Sequence, residues 1–262
     1  MTDCRANIVL PVSDSWEEKL VGFAHADPTL LETRALERRT VEKFIHSVES
    51  VAALLRALRL DYRVADAGHV RVATYRTLYF DTPTLELFHA HRRGVRVRHK
   101  VRVRSYPDRR VTRFEVKTRH AERLSTKETR DHLHADLGLS DGDRQLAAAQ
   151  TGLTSVFLPQ AFTDFHRITL VGTDAPDRVT IDFDLVVGND ADSLAIERVA
   201  IVEIKRVPGP FRGCSSLARA LRDGGWRRAS VSKYAAAIAL LQPAISQNSM
   251  ISGLRALRRV AA

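Results

Sequence analysis

The chain has 262 residues, 44% of them hydrophobic, as expected of an ordinary soluble globular protein with one large or two small cores. Lys and Arg number 41 against 31 Asp and Glu, a formal net charge of +10, which points to an anionic partner: nucleic acid, a phosphate-rich ligand or an acidic membrane face. Two cysteines, Cys4 and Cys214, are too few for a disulfide framework or a zinc site, and no apolar run approaches the roughly 18 residues of a membrane span or forms a signal-peptide core, so a cytoplasmic setting is expected.

In chain order, residues 1–33 read as an N-terminal extension of weak periodicity, interrupted by Pro11 and Pro28. From Val41 to Leu60 apolar residues recur at three and four, which predicts one amphipathic helix. Val70–Phe80 reads as a strand ended by Asp81-Thr82-Pro83. Strand patterns follow at Val95–Arg104, Arg110–Thr118, His166–Val171, Val179–Val187 and Val199–Arg206. Helices are predicted at Lys127–Leu137, Asp143–Thr151, Ser215–Arg222 and Ser232–Leu241, and residues 243–262 form a basic tail with a short amphipathic helix at Ile251–Val260. Many strands with turn-length links predict an α+β fold: an antiparallel sheet with helices outside.

The segment Val95–Arg104 carries the functional argument. Side chains alternate faces along a strand, so Arg96, Arg98, Lys100, Arg102 and Arg104 share one face and Val95, Val97, His99, Val101 and Val103 the other. Five like charges over roughly 26 Å, at about 3.3 Å per residue, repel one another, which suggests that a ligand uses them. Glu115, Lys117 and Arg119 share a face opposite Phe114 and Val116. Asp182 and Asp184 face away from Ile181, Phe183 and Leu185, and Glu203 and Lys205 away from Val202 and Ile204. If the apolar faces lie under helices, the charged faces meet either solvent or each other around a channel, and a closed antiparallel barrel would satisfy both the cations and the few carboxylates. Arg and Lys match phosphate oxygens, and a few carboxylates beside phosphate are tolerable where a hard cation, Mg²⁺ or Mn²⁺, bridges them. Phosphate, metal and a basic cavity together are the apparatus of phosphoryl transfer. Two alternatives stay open: Lys117 and Lys205 are structural ion-pair partners of Glu115 and Glu203 at i, i+2, and Asp182 and Asp184 are either a second metal position or acids that orient an Arg.

The ordered segments resemble the catalytic domain of the vacuolar transporter chaperone (VTC) polyphosphate polymerases, in the triphosphate tunnel metalloenzyme (CYTH-like) superfamily. The pieces are Arg39-x-x-x-Lys43-Phe44, Thr77-Leu-Tyr-Phe-Asp-Thr82, Arg102-Val-Arg-Ser-Tyr106, Phe114-Glu-Val-Lys117, Lys127-x-x-Arg130, Phe165-His-Arg167, Arg178-Val-Thr-Ile-Asp182, Val202-Glu-Ile-Lys205 and Ser232-Lys-Tyr234. The resemblance implies a closed eight-stranded tunnel over residues 34–242 that performs ATP-dependent polyphosphate polymerisation with Mn²⁺ or Mg²⁺. It assigns catalytic contacts to Arg102, Arg104, Lys117, Arg167 and Lys233, and the metal to Glu203. Substrate contacts are expected from Arg39, Lys43, Lys127, Arg130, Arg178 and Ser232, together with Arg98, Lys100 and Lys205 from the strand alternation. Arg38, Phe44 and Ile168-Thr169 depart from the family pattern. ATP and polyphosphate are the expected partners, with a membrane protein as a further one if the product is transported; dedicated nucleic-acid binding is not expected. The alternatives are an inorganic or nucleoside triphosphatase, which needs a carboxylate to activate water, and a non-catalytic polyphosphate-binding module.

Overall fold

The computed structural model describes residues 15–34, 40–121, 125–133, 138–206, 216–245 and 251–261. Its strands are β1 Thr40–Ser47, β2 Tyr62–Val64, β3 Val72–Asp81, β4 Arg98–Tyr106, β5 Val111–Arg119, β6 Ser125–Asp131, β7 Leu158–Gly172, β8 Asp177–Gly188, β9 Ser193–Ile196 and β10 Val199–Arg206. Its helices are α1 Ser15–Lys19, α2 Pro28–Thr33, α3 Val48–Leu58, α4 Glu86–Arg92, α5 Asp141–Thr151, α6 Ser216–Asp223, α7 Lys233–Leu241 and α8 Ile251–Ala261.

The expected α+β class with an antiparallel sheet is what forms. The ten strands pair in one sheet ordered β1-β10-β8-β7-β3-β4-β5-β6, with β2 on β7 and β9 on β8. The expected closed eight-stranded barrel does not form: among the described residues no ladder joins β1 to β6. Two features explain the open seam. The sequence of β6, Ser-Thr-Lys-Glu-Thr-Arg-Asp, has no apolar residue, and every residue of it is exposed. The outer edge of β1 is instead taken by the chain before α7, where Phe44 bridges Arg228 and the Ala229 amide donates to the Lys43 carbonyl at 2.7 Å.

The convex side of the sheet is covered in two places. Trp16, Leu20 and Phe23 of the N-terminal region join α3 and α6 over Phe44, Ile168, Ile181, Phe183 and Val202, with Trp16 stacked on Phe183 at 4.0 Å. Leu139 and Ala147 lie over Val101, Val103, Phe114 and Val116.

Helix α7 corrects the expectation that the helices lie outside. Lys-Tyr-Ala-Ala-Ala-Ile-Ala-Leu-Leu is apolar on all sides after its first residue, the pattern of a helix buried all round. It packs with Ile45, Tyr75, Tyr79, Ala161, Phe165 and Ile201, which share the strand faces of the charged residues. α7 therefore fills one end of the concave side with apolar contact and leaves the rest polar. α8 closes over the strap leading into α7. A Cβ on its Gly253 would come within 2.5 Å of the Ser230 carbonyl, so glycine is required for that approach.

Two predicted helices are corrected. Val41–Leu60 divides into β1 and α3 at Ser47, whose hydroxyl caps α3 by accepting from the Ser50 amide at 3.2 Å. Phe44 and Ile45 are both buried, on opposite faces of β1, which hides the strand alternation. Lys127–Leu137 is not a helix: β6 pairs with β5 through residue 131, and residues 134–137 lie outside the described residues.

Candidate functional site

The concave face encloses a cavity of about 520 Å³. Among the described residues its wall carries eleven Lys and Arg side chains and two Glu. A second cleft, about 220 Å³ beside Phe162 and Asn189, has no Lys or Arg in its wall. The charged composition of the larger cavity follows from strand parity. In β4, Val101 and Val103 are buried on the convex side, so Lys100, Arg102 and Arg104 must point inward. The register then sets Lys100 opposite Lys117, Arg102 opposite Glu115 and Arg104 opposite Arg113 on β5, and Lys117 opposite Lys127 on β6. Lys43 lies opposite Glu203 on β10, and Arg167 of β7 opposite Asp182 on β8.

Three carboxylates each hold two cations. Glu115, 1% exposed, accepts from Arg102 Nε at 2.6 Å and from Lys127 Nζ at 3.0 Å. Glu203 is 3.3 Å from Lys43 Nζ and 3.2 Å from Lys205 Nζ. Asp182 accepts from Arg167 Nε at 2.5 Å and Nη2 at 2.8 Å, and from Lys233 Nζ. Burial opposes ionisation of all three, but the neighbouring cations prevail. Arg102, Arg104 and Lys127 bring Glu115 down to about 2, and Glu203 and Asp182 are held below the ordinary carboxylate range.

The lysine rung is less well compensated. Burial, then Lys43, Lys117, Arg102 and Arg98, push the Lys100 amine well below its ordinary value. Burial also lowers Lys117, to about 8, with Glu203 opposing and Arg102, Lys43 and Lys205 adding to the shift. The sign is that of a suppressed cation. The unfolded chain binds the proton more readily, so this group costs stability below about pH 8, and the cost disappears as pH rises to the unfolded value near 10.4. A bound polyanion reverses the effect. We expect inorganic triphosphate to bind with net proton uptake near pH 8, seen as a buffer-dependent enthalpy in calorimetry, and Lys117→Met to reduce that uptake.

The motif Ser232-Lys-Tyr234 places Lys233 by fixing its neighbours. Ser232 caps α7, its hydroxyl accepting from the Ala235 amide at 3.4 Å. The Tyr234 hydroxyl donates to Asp81, which also accepts from the amides of Thr82 at 2.7 Å, Leu87 at 2.9 Å and Phe88 at 2.8 Å. The Asp of Thr77-Leu-Tyr-Phe-Asp-Thr82 is thus a buried tie between β3, α4 and α7, away from the cavity wall. Tyr79 of the same motif does line the cavity. Burial would raise its phenol, but Arg102, Arg104 and Lys233 bring it down overall.

Of the residues singled out in the sequence, the structure brings Lys43, Lys100, Arg102, Arg104, Lys117, Lys127, Arg167, Glu203, Lys205, Ser232 and Lys233 to this one cavity. Arg98 does not reach its wall and donates to the Val95 carbonyl at 3.1 Å. Arg130 sits over Gly142 and 4.0 Å from Asp143, because on a strand residues three apart face opposite ways and Lys127 takes the inner side. Arg178 lies opposite Lys205 at the end of the sheet, outside the cavity wall. Arg39 lies outside the described residues. Asp184 separates from Asp182 at a bulge, where its φ is +49°, and pairs with His166 at 3.1 Å. The cavity also takes in Tyr75, Tyr106, Arg109 and Arg113. Arg113 shares the parity of Glu115 and Lys117 and could have been found from it; Arg109 sits in the 3-10 turn Pro107–Arg109, where alternation says nothing.

Residues 38–138 match the VTC domain family. The matched stretch contains β1 to β6 and hence Lys43, Arg102, Arg104, Glu115, Lys117 and Lys127; Arg167, Glu203 and Lys233 follow it. A Bacillus halodurans protein, solved by crystallography and proposed to be an adenylate cyclase, is 14% identical with a TM-score of 0.51, over 75% of this chain and 94% of that one. Two Pyrococcus horikoshii OT3 proteins are 11% and 10% identical, with TM-scores of 0.42 and 0.39, over 72% of this chain and 91% and 92% of theirs. At 14% identity the likeness to the Bacillus structure is one of fold. No curated protein sequence matches the chain. Among the described residues no helix is long and apolar enough to cross a membrane.

Among the described residues no three His, Cys, Asp or Glu gather to hold a metal ion. Glu115 is enclosed by its cations, which leaves Glu203, at 21% side-chain exposure, as the carboxylate open to the cavity. One carboxylate fits Mg²⁺ or Mn²⁺ where ligand phosphates and water supply the other oxygens, and does not fit an ion caged by protein alone.

Proposed function

We propose that this cavity carries out polyphosphate-polymerase-type phosphoryl transfer from ATP. One observation carries the reading: the cavity wall holds eleven cations against two carboxylates, and both carboxylates are already committed to cations. Such a lining is complementary to a chain of phosphates. Both carboxylates are held below the ordinary carboxylate range by those cations, so the wall offers no strong base to take a proton from water. A phosphate acceptor needs none, because its attacking oxygen is already anionic. The terminal phosphate oxygen of the chain forms a bond to the γ-phosphorus of ATP as the bond to the bridging oxygen breaks, and ADP leaves with that electron pair.

Arg102, Arg104, Arg167 and Lys233 surround the part of the cavity nearest α7. There they would bind and orient phosphate oxygens and offset the charge spread over the transferring group. Lys43, Lys100, Lys117, Lys127 and Lys205 would hold the rest of the polyanion. Glu203 would hold a divalent cation, which when bound supplies charge neutralisation between neighbouring phosphates. Expected residence in the cytoplasm and delivery of product to a membrane protein belong to the same proposal.

The test is to incubate the protein with ATP and Mn²⁺ or Mg²⁺ and follow ADP, free phosphate and polymer together. Polymer formed with ADP is the expected result. Free phosphate without polymer would replace the reading by a triphosphatase. Neither product, with polyphosphate bound, would replace it by a binding module.

A further inference from the structure

Asp182 differs from the other two carboxylates of the site. It is 2% exposed and lies behind the cavity wall, with both oxygens occupied: Oδ1 by Arg167 Nε and Oδ2 by Arg167 Nη2 and Lys233 Nζ. Its two partners come from separate parts of the fold, Arg167 from β7 and Lys233 from the first turn of α7. Both also lie over the Phe165 ring, Arg167 Cζ at 5.3 Å and Lys233 Nζ at 4.5 Å, and Arg167 Cζ is 4.6 Å from the centre of Tyr75. Asp182 is fixed in turn by regular pairing on both sides, with Arg167 of β7 and Ile201 of β10, and the β-bulge that turns Asp184 away begins only after Phe183.

We infer that Asp182 is a positioning residue: it sets the spacing of the Arg167 guanidinium and the Lys233 amine across the junction of α7 with the sheet, and it does not bind metal. The inference rests on the phosphoryl-transfer reading for its kinetic consequence but not for its geometry. A guanidinium held bidentate and lying over two rings is restricted to one orientation, and the shared carboxylate extends that order to the lysine. Removing the carboxylate would release both cations while making the cavity more positive. Anion affinity should then hold or rise as turnover falls, a combination that simple damage to the fold would not give.

The test uses Asp182→Asn in the full chain. In the ATP reaction kcat should fall about 100-fold, the usual consequence of misplacing a reacting constellation by about 1 Å. KM should stay level or drop, and the Mn²⁺ concentration dependence should not move. Independently of turnover, ¹³C-dimethyl-lysine NMR should show the Lys233 resonance, assigned through Lys233→Arg, moving to the position of mobile lysines. A Lys233 resonance left in place would overturn the inference, and so would a shifted Mn²⁺ requirement. If Asp182→Asn does not fold, Asp182→Glu keeps the charge and adds one methylene. It should fold, lose part of kcat and shift the Lys233 signal; wild-type kcat with an unmoved signal would again overturn the inference. If the wild-type protein makes no product, the functional reading fails while the NMR result still decides this one.

Discussion

Asp81→Ala should cost about 3–5 kcal/mol of stability, because it leaves several buried donors without an acceptor at once. The carboxylate is 0% exposed and accepts from three backbone amides and the Tyr234 hydroxyl. Burial pushes its pKa above the ordinary carboxylate value, although the Tyr234 hydroxyl and the three amides pull it part of the way back. Its loss would detach α4 and α7 from the end of β3. For a chain of this size the midpoint should fall by roughly 10 °C. Tyr234→Phe removes one donor and should cost only about 1 kcal/mol. Thermal or urea unfolding of the two variants checks both values. Equal, small effects would mean that the amides find other partners and that Asp81 is not the tie described.

Glu203→Gln should lower phosphoryl transfer by about 100- to 1000-fold, the range seen when one preorganised electrostatic contact to a reacting centre is lost. The substitution keeps the shape of the side chain and removes the charge facing Lys43 and Lys205. Binding of inorganic triphosphate without metal should therefore persist or tighten, since the cavity becomes more positive. The Mn²⁺ concentration needed for residual turnover should rise, which separates Glu203 from Asp182. Steady-state rates over a Mn²⁺ series, with triphosphate calorimetry alongside, measure both. Unchanged turnover would remove Glu203 from the metal role and leave it as a structural partner of two lysines.

The legible part of this protein was the part governed by strict strand parity. In β4 and β5 every inward residue from Lys100 to Arg104 and from Arg113 to Lys117 is charged and the residues between them are apolar, so the site could be read before any fold was known. Where both faces of a strand are apolar the signal vanishes: Phe44 and Ile45 are buried on opposite sides of β1, and the spacing passes for a helix. β6 has the opposite defect, with no apolar residue and a structure set by pairing with β5. Arg130 is expected in the site from the resemblance, through Lys127-x-x-Arg130, and strand parity turns it to the face opposite Lys127. The apolar run in α7 showed a helix but not which side of the sheet it would bury against. Whether β1 meets β6 depends on what else competes for the edge of β1, and the competitor, Arg228–Ala229, lies far along the chain.

The most direct test of the central claim is to titrate the protein with inorganic triphosphate by calorimetry, beside Arg102→Met, over a range of salt. Saturable binding to one site is expected, weakening as salt rises and falling at least roughly tenfold in the variant, the loss of one charge-assisted contact worth about 1.5–3 kcal/mol. Triphosphate that does not bind, or binds the variant equally well, would contradict it.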